Sequence, residues 1–274
     1  MIKIIASDMD GTLITHEGII PERNINAIKK AIEKGVLFVP ATGRTHSTIP
    51  PTVMDNFDIK YTISSNGASV YNMENKKFIY NNLMDKNIAK DILDYVLKYD
   101  VVTEVYCNGD GFFPRYFLDR LEEVGVPAQF AGFYKKQKMA VDDIYAVVEN
   151  SENGIEKINI PWIKPEVRAE LLANLKRDWG DKIYITSSMP NNIELCSKTT
   201  NKGDGLKHLC DILGIKPEET MAIGDNLNDL EMIEFAGVGV AMENGADEVK
   251  EIANFTTINN VDGGVGFAIE KFCL

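Results

Sequence analysis

Histidine is scarce in this chain, three among 274 residues, and none of the four cysteines (Cys107, Cys196, Cys210, Cys273) stands in CxxC spacing. That argues against a disulfide framework and a Cys/His zinc site, and leaves buried free thiols in a reducing compartment as the expectation. Basic charge is also in deficit. With 29 Lys and Arg against 41 Asp and Glu, the net charge is −12, which speaks against nucleic acid or an anionic membrane as partner. No apolar run approaches the roughly 18 residues of a membrane span. The first apolar run is cut by Asp8, too early for a signal peptide. Internal repeats and low-complexity segments are lacking too. The chain reads as a soluble cytoplasmic protein, a monomer or weak homodimer.

What is present is globular material, 45% hydrophobic, enough for a sizeable core and, at about 150 residues per domain, for two domains. "IKIIAS" reads as a strand and "PERNINAIKKAIEKG" as a helix with Ile25, Ile28 and Ile32 on its apolar face. "VLFVPA" and "KYTISSNG" are further strands, and "ASVYNMENKKFIYN" has the two short runs of a hairpin. From about Leu83 to Met189 helices and strands follow another rhythm, that of helices packed on an antiparallel sheet. The aromatics Phe112, Phe113, Tyr116 and Phe117 read there as core. The strand–helix alternation then resumes: "NKGDGLKHLCDILG" is a helix closed by Gly214, "ETMAIGD" a strand, "NDLEMIEFAG" a helix, "VGVAM" a strand, "ADEVKEIA" a helix and "FTTI" a last strand. The fold class is α/β: a Rossmann-like parallel-sheet core, residues 1–83 and 190–274, with an α+β cap domain, 84–189, inserted into it.

Three core strands end in polar groups: "IKIIAS" at Asp8, "VLFVPA" at Thr42, Gly43 and Arg44, and "MAIG" at Asp225. In open parallel sheets ligands bind at the carboxyl ends of strands, so these groups should meet at one edge. Each alone is ordinary turn chemistry; three in register are not. Asp8 and Asp10 alternate on an extended segment and face a common space, and a helix starting near Leu227 would bring Asp229 back over Asp225. Four acids at one edge require a cation, because like charges raise one another's pKa. With no His or Cys in ligand spacing the donors are oxygens, which favours Mg²⁺ over Ca²⁺. The Thr42 hydroxyl and Gly43 amide suit phosphoryl oxygens, and Lys202 at a helix start adds positive charge, although read alone it is a solvated lysine.

"DMDGT", Thr42–Gly43, Lys202 and "GDNLND" occur in the order of the four motifs of the haloacid dehalogenase superfamily of phosphatases, and the chain resembles that family. The large insert, "SSNGA" and the "IEL" before Lys202 resemble its Cof-type branch; "NNVDGGVG" departs from the compact "DGVA" of relatives. The resemblance implies Asp8 as nucleophile forming an aspartyl-phosphate, and Asp10 as general acid and base. It implies Mg²⁺ held by Asp8, the Asp10 carbonyl and Asp225 with Asp229 in support, and a phosphoryl group held by Met9, Thr42, Gly43, Lys202 and Asn228. Arg44 and Asn66 would be turn residues as readily as substrate contacts, and His16 and His46 packing residues. The expected function is Mg²⁺-dependent hydrolysis of a small phosphorylated metabolite, sugar phosphates first, with the insert acting as a lid that sets specificity. A phosphomutase and a non-catalytic phosphate sensor are the rivals; intact Asp8 and Asp10 argue against the sensor.

Overall fold

The computed structural model describes residues 1–137 and 139–274. They form two compact units, Met1–Asn81 with Asn201–Leu274, and Asn82–Thr200. The chain runs β1 (Ile4–Ser7), α1 (Glu22–Glu33), β2 (Leu37–Pro40), α2 (Pro51–Met54), β3 (Tyr61–Ser64), β4 (Ser69–Asn72) and β5 (Lys77–Asn81) in the first unit. The second unit contains α3 (Lys86–Val96), β6 (Glu104–Cys107), β7 (Asp110–Pro114), α4 (Ala128–Gln137), β8 (Met139–Val141), α5 (Ile144–Asn150), β9 (Lys157–Ile160), α6 (Pro165–Trp179), β10 (Ile183–Thr186) and β11 (Ile193–Ser197). The first unit then resumes with α7 (Lys202–Leu213), β12 (Thr220–Gly224), α8 (Leu230–Phe235), β13 (Val238–Ala241), α9 (Asp247–Ile252), β14 (Phe255–Thr256) and α10 (Gly264–Phe272).

Among the described residues, the first unit is built on a parallel five-stranded sheet of order β14-β13-β12-β1-β2. Its strands are apolar on both faces, as parallel strands covered on both sides must be. Ile5, Phe38, Met221, Ile223 and Val240 join one buried cluster with Ala27 and Ile28 of α1 and Ala268 and Ile269 of α10. The alternate residues Ile4, Ala6, Val39 and Ala222 join another with Leu206 and Leu209 of α7 and Met232 of α8. The third expected strand, β3, continues the parallel order only through an Ala41–Ile63 bridge and is otherwise antiparallel to β4 in the β3-β4-β5 sheet.

α10 was not anticipated from sequence, because "DGGVGF" is poor in helix formers; tertiary bonds hold it instead. The Gly266 amide donates to Asn24 Oδ1 at 2.7 Å, and Arg23 and Glu270 pair side by side.

The second unit's sheet has the order β10-β11-β9-β6-β7-β8, antiparallel except between β7 and β8. One face packs Val105, Ile158, Ile160 and Leu195 against α3, α5 and α6. The other carries a buried Lys157–Glu194 ion pair of 2.7 Å and Asn159 bonded to Glu104. Phe113 and Phe117 are core, whereas Tyr116 is 54% exposed. Sequence reading assigned 190–200 to the parallel core, but β11 is hydrogen-bonded between β9 and β10, so that segment belongs to the second unit.

The loop after β3 closes on the start of α7. Gly67 there has φ +90°, and a Cβ on it would collide with the Asn201 carbonyl. Gly67→Ala combines a left-handed backbone with a backbone clash, and should lower unfolding free energy by about 2–3 kcal/mol. Urea unfolding measures this; an unchanged midpoint would show the contact to be dispensable.

Candidate active site

The parallel register determines where the polar strand ends lie. Ser7 is level with Ile223 on one side and Pro40 on the other, so Asp8, Asp225 and Thr42 leave the sheet together at its carboxyl edge. Asp8 N–H still donates to the Ile223 carbonyl at 2.9 Å, and Thr42 N–H to that of Ile63 at 2.9 Å. After Asp10 the chain turns back on itself, with Gly11 at φ +92°. A Cβ on Gly11 would lie 2.6 Å from Asp225 Oδ2, so only glycine allows the turn and the carboxylate to approach this closely.

Asp8, Asp225 and Asp229 present carboxylate oxygens within 4.8 Å of one another. Lys202, fully buried, joins two of them: its Nζ lies 2.6 Å from Asp8 Oδ1 and 2.6 Å from Asp229 Oδ1. The reading of Lys202 as a solvated lysine is therefore wrong. Residue 202 opens α7, and the Asn201 side chain caps that helix by accepting from the Asp204 amide at 2.8 Å. The second oxygen of Asp229 accepts from the Asp225 and Asn226 amides at 2.9 and 3.0 Å. Three protein donors thus meet Asp229, which holds the turn that presents Asp225. Asp225 Oδ1 accepts from the Thr12 hydroxyl at 2.6 Å, a contact missed in the sequence although Thr12 ends "DMDGT".

Electrostatics follow from this crowding. Burial, and then the neighbouring carboxylate of Asp229, push Asp225 up to about 6 from an ordinary 3.8. Burial also raises Asp8 well above the usual range; Lys202 opposes that shift, while Asp229, Asp225 and Asp10 add to it. For Lys202 burial acts downward, but Asp229 and Asp8 outweigh it and its pKa is raised. One ammonium among three carboxylates leaves excess negative charge in a poorly solvated space. An all-oxygen donor set of this charge fits a hard divalent cation.

The other expected residues fall into place unevenly. The Thr42 hydroxyl oxygen accepts from the Arg44 amide at 3.1 Å, which leaves its proton to donate elsewhere. Asn228, buried, donates to Asn66 Oδ1 at 3.1 Å, and Asn66 itself stands in the left-handed region at φ 57°. Asn66 thereby joins the site. The Met9 side chain is wholly in the core, so only its backbone is available to a ligand. Gly43 follows Thr42 at the same strand end. Asp10 stands apart from the buried acids: its side chain is 52% exposed and paired with Arg44. His46 stacks on Tyr71 with centroids 3.9 Å apart and contacts the Thr62 hydroxyl, and His16 is exposed. Asn244, unremarked in the sequence, donates to the Gly11 carbonyl at 2.8 Å and accepts from the Asn260 amide at 2.9 Å. The atypical "NNVDGGVG" segment thus braces the turn behind Asp10.

A family model for haloacid dehalogenase-like hydrolases matches residues 5–269. The chain belongs to that family. It is 32% identical to the 5-amino-6-(5-phospho-D-ribitylamino)uracil phosphatase YwtE of Bacillus subtilis, with 98% of this chain and 97% of that protein covered. A solved haloacid dehalogenase-like hydrolase from B. subtilis matches at TM-score 0.82 and 31% identity, over 99% of this chain and 100% of that one. A solved sugar phosphatase of haloacid dehalogenase subclass IIB matches at TM-score 0.80 and 25% identity, over 98% of both chains. The family membership is that of the Cof-type branch, the fold is its α/β core with additional sheets, and the enzyme is a phosphatase. Among the described residues no helix is long and apolar enough to cross a membrane.

The raised acids make stability depend on pH and cation. Because the folded Asp225 value lies above the unfolded one, the folded state binds its proton more tightly, and stability falls as pH rises from about 4 to about 6. The loss from this group is roughly 3 kcal/mol above that window. Metal-free protein should melt several degrees lower at about pH 8 than at about pH 5, and Mg²⁺ should restore more at the higher pH. Asp225→Asn should raise the metal-free melting temperature at about pH 8 and remove the Mg²⁺ response. Differential scanning calorimetry reads both; indifference of the native protein to Mg²⁺ would exclude Mg²⁺ binding at these carboxylates.

Proposed function

We propose that this phosphatase hydrolyses small phosphate monoesters, sugar phosphates foremost, through an aspartyl-phosphate on Asp8 and with Mg²⁺ as cofactor. The observation carrying this reading is the contrast between two carboxylates in one strand–turn segment. Asp8 is buried against Lys202 beside Asp225, whereas Asp10 is half exposed and outside that cluster. A nucleophile needs a desolvated, charge-balanced setting for an incoming phosphoryl group. A general acid–base needs reach to the leaving oxygen and to water. One segment supplies both.

In this reading an Asp8 carboxylate oxygen attacks phosphorus in line, and the bond from phosphorus to the ester oxygen breaks. Asp10 gives its proton to the departing oxygen, then takes one from the water that cleaves the phosphoenzyme to phosphate and free Asp8. Lys202 offsets the repulsion between Asp8 and the dianionic phosphoryl group. The Thr42 hydroxyl, the Gly43 and Met9 amides and the second N–H of the Asn228 amide donate to its oxygens. The Asp8 and Asp225 carboxylates and the Asp10 carbonyl would hold Mg²⁺, with Asp229 fixing Asp225. When bound, the ion neutralises phosphoryl charge as the transition state forms.

These groups address only the phosphoryl end, so preference among leaving groups is assigned to residues 82–200. A sugar or sugar-alcohol phosphate is the favoured class because the relatives named above include a sugar phosphatase and a phospho-ribityl phosphatase. Four free thiols fit the reducing cytoplasm.

Phosphate release from a panel of sugar phosphates, with and without chelator, tests the reading. Turnover should require Mg²⁺ and yield free phosphate, where a mutase would return isomerised sugar phosphate. Asp8→Asn should abolish turnover and phosphoenzyme, whereas Asp10→Asn should lose about 10²–10⁴ in rate and most with basic leaving groups. Near-normal activity of Asp8→Asn would refute the nucleophile assignment.

A further inference from the structure

Asp10 presents a difficulty that the other acids do not. Asp8, Asp225 and Asp229 are held by buried donors, but the Asp10 side chain is half exposed and outside that buried cluster. A proton-transfer group must sit within hydrogen-bond reach of the atom it serves, and a 1 Å misplacement can cost about 10² in rate. Among the described residues a single side chain meets this carboxylate. Arg44 Nε donates to Asp10 Oδ2 at 2.7 Å and Nη2 donates to Oδ1 at 2.7 Å, a two-point fork.

We infer that Arg44 is a positioning residue for proton transfer by Asp10: its guanidinium locks the carboxylate's orientation, and its backbone ties that lock to the phosphoryl-binding groups. The inference rests on the assignment of Asp10 as acid–base. The Arg44 amide donates to the Thr42 hydroxyl, and its carbonyl accepts from the Ser65 amide at 2.8 Å, beside Asn66, whose own amide donates to the Thr42 carbonyl at 3.0 Å. One residue therefore links the acid–base to Thr42 and to the loop that carries Asn66. The guanidinium also reaches the Thr48 carbonyl at 3.4 Å, which limits its swing. A planar fork fixes both position and plane of a carboxylate; an ammonium fixes neither. Lysine is consequently no substitute.

The experiment measures leaving-group release in the first turnover, with Mg²⁺, for a sugar phosphate and for p-nitrophenyl phosphate. It uses the native enzyme, Arg44→Ala, Arg44→Lys, Asp10→Asn and the Asp10→Asn/Arg44→Ala double variant. Proton donation matters for the alkoxide and little for nitrophenolate. Arg44→Ala and Arg44→Lys should each lose about 10–10² on the sugar phosphate, and less than about threefold on the aryl ester. Removing Arg44 from the Asp10→Asn enzyme should cost nothing further. Equal losses on both substrates, a change confined to KM, full activity of Arg44→Lys, or additive losses in the double variant would each overturn the inference and make Arg44 a substrate contact or a structural residue. If Asp10→Asn itself shows no leaving-group dependence, the acid–base assignment fails instead, and the two failures are distinguishable.

Discussion

A single ammonium group, Lys202 Nζ, lies between Asp8 and Asp229 with no exposure to solvent. A buried charge is tolerated only where it is paired and hydrogen-bonded, and removing one partner leaves the others uncompensated. Much of the candidate site depends on this arrangement. Lys202 requires α7 to begin where it does, which requires the Asn201 cap and the close approach of Gly67. Asp229 is bound by Lys202 on one oxygen and by two amides on the other, so the ammonium also secures the turn carrying Asp225.

The site is thereby divided by solvation. Buried acids around Lys202 form an excess-negative oxygen cluster that fits a cation, with pKa values moved upward by burial. Asp10 and Arg44, two and thirty-six residues on from Asp8 in sequence, form a separate, half-exposed pair. In the proposed mechanism, chemistry that needs desolvation and chemistry that needs water therefore occupy neighbouring positions without sharing an environment.

Much of this was legible in the sequence because it rests on short-range rules. Apolar runs ending in Asp8, Thr42 and Asp225 announced parallel strands and a ligand edge, and the structure brings those ends level through the register of β1, β2 and β12. What escaped reading depends on contacts between distant segments. α10 is specified by Asn24 and Arg23, more than two hundred residues away, and not by its own glycine-rich start. β11 looked like a continuation of the parallel core, yet its partners β9 and β10 place it in the other unit. Thr12 and Asn244 were invisible as site residues because isolated polar residues in turns carry no periodic signal, and Asn66 read as readily as a turn residue as a contact; only their bonds to Asp225, Gly11 and Asn228 identify them.

By itself, then, the sequence determined the fold class, the order of the core strands along the chain and the acids at their ends, since hydrophobic periodicity and turn chemistry are local. Tertiary structure decided what those acids experience. Whether Lys202 is a solvated lysine or the centre of a buried ion cluster, and whether Asp10 stands with the other carboxylates or apart with Arg44, depends on burial and on partners 27 to 194 residues distant. Charge–charge energies scale with the local dielectric, and that is a property of the packed molecule, which no stretch of sequence carries.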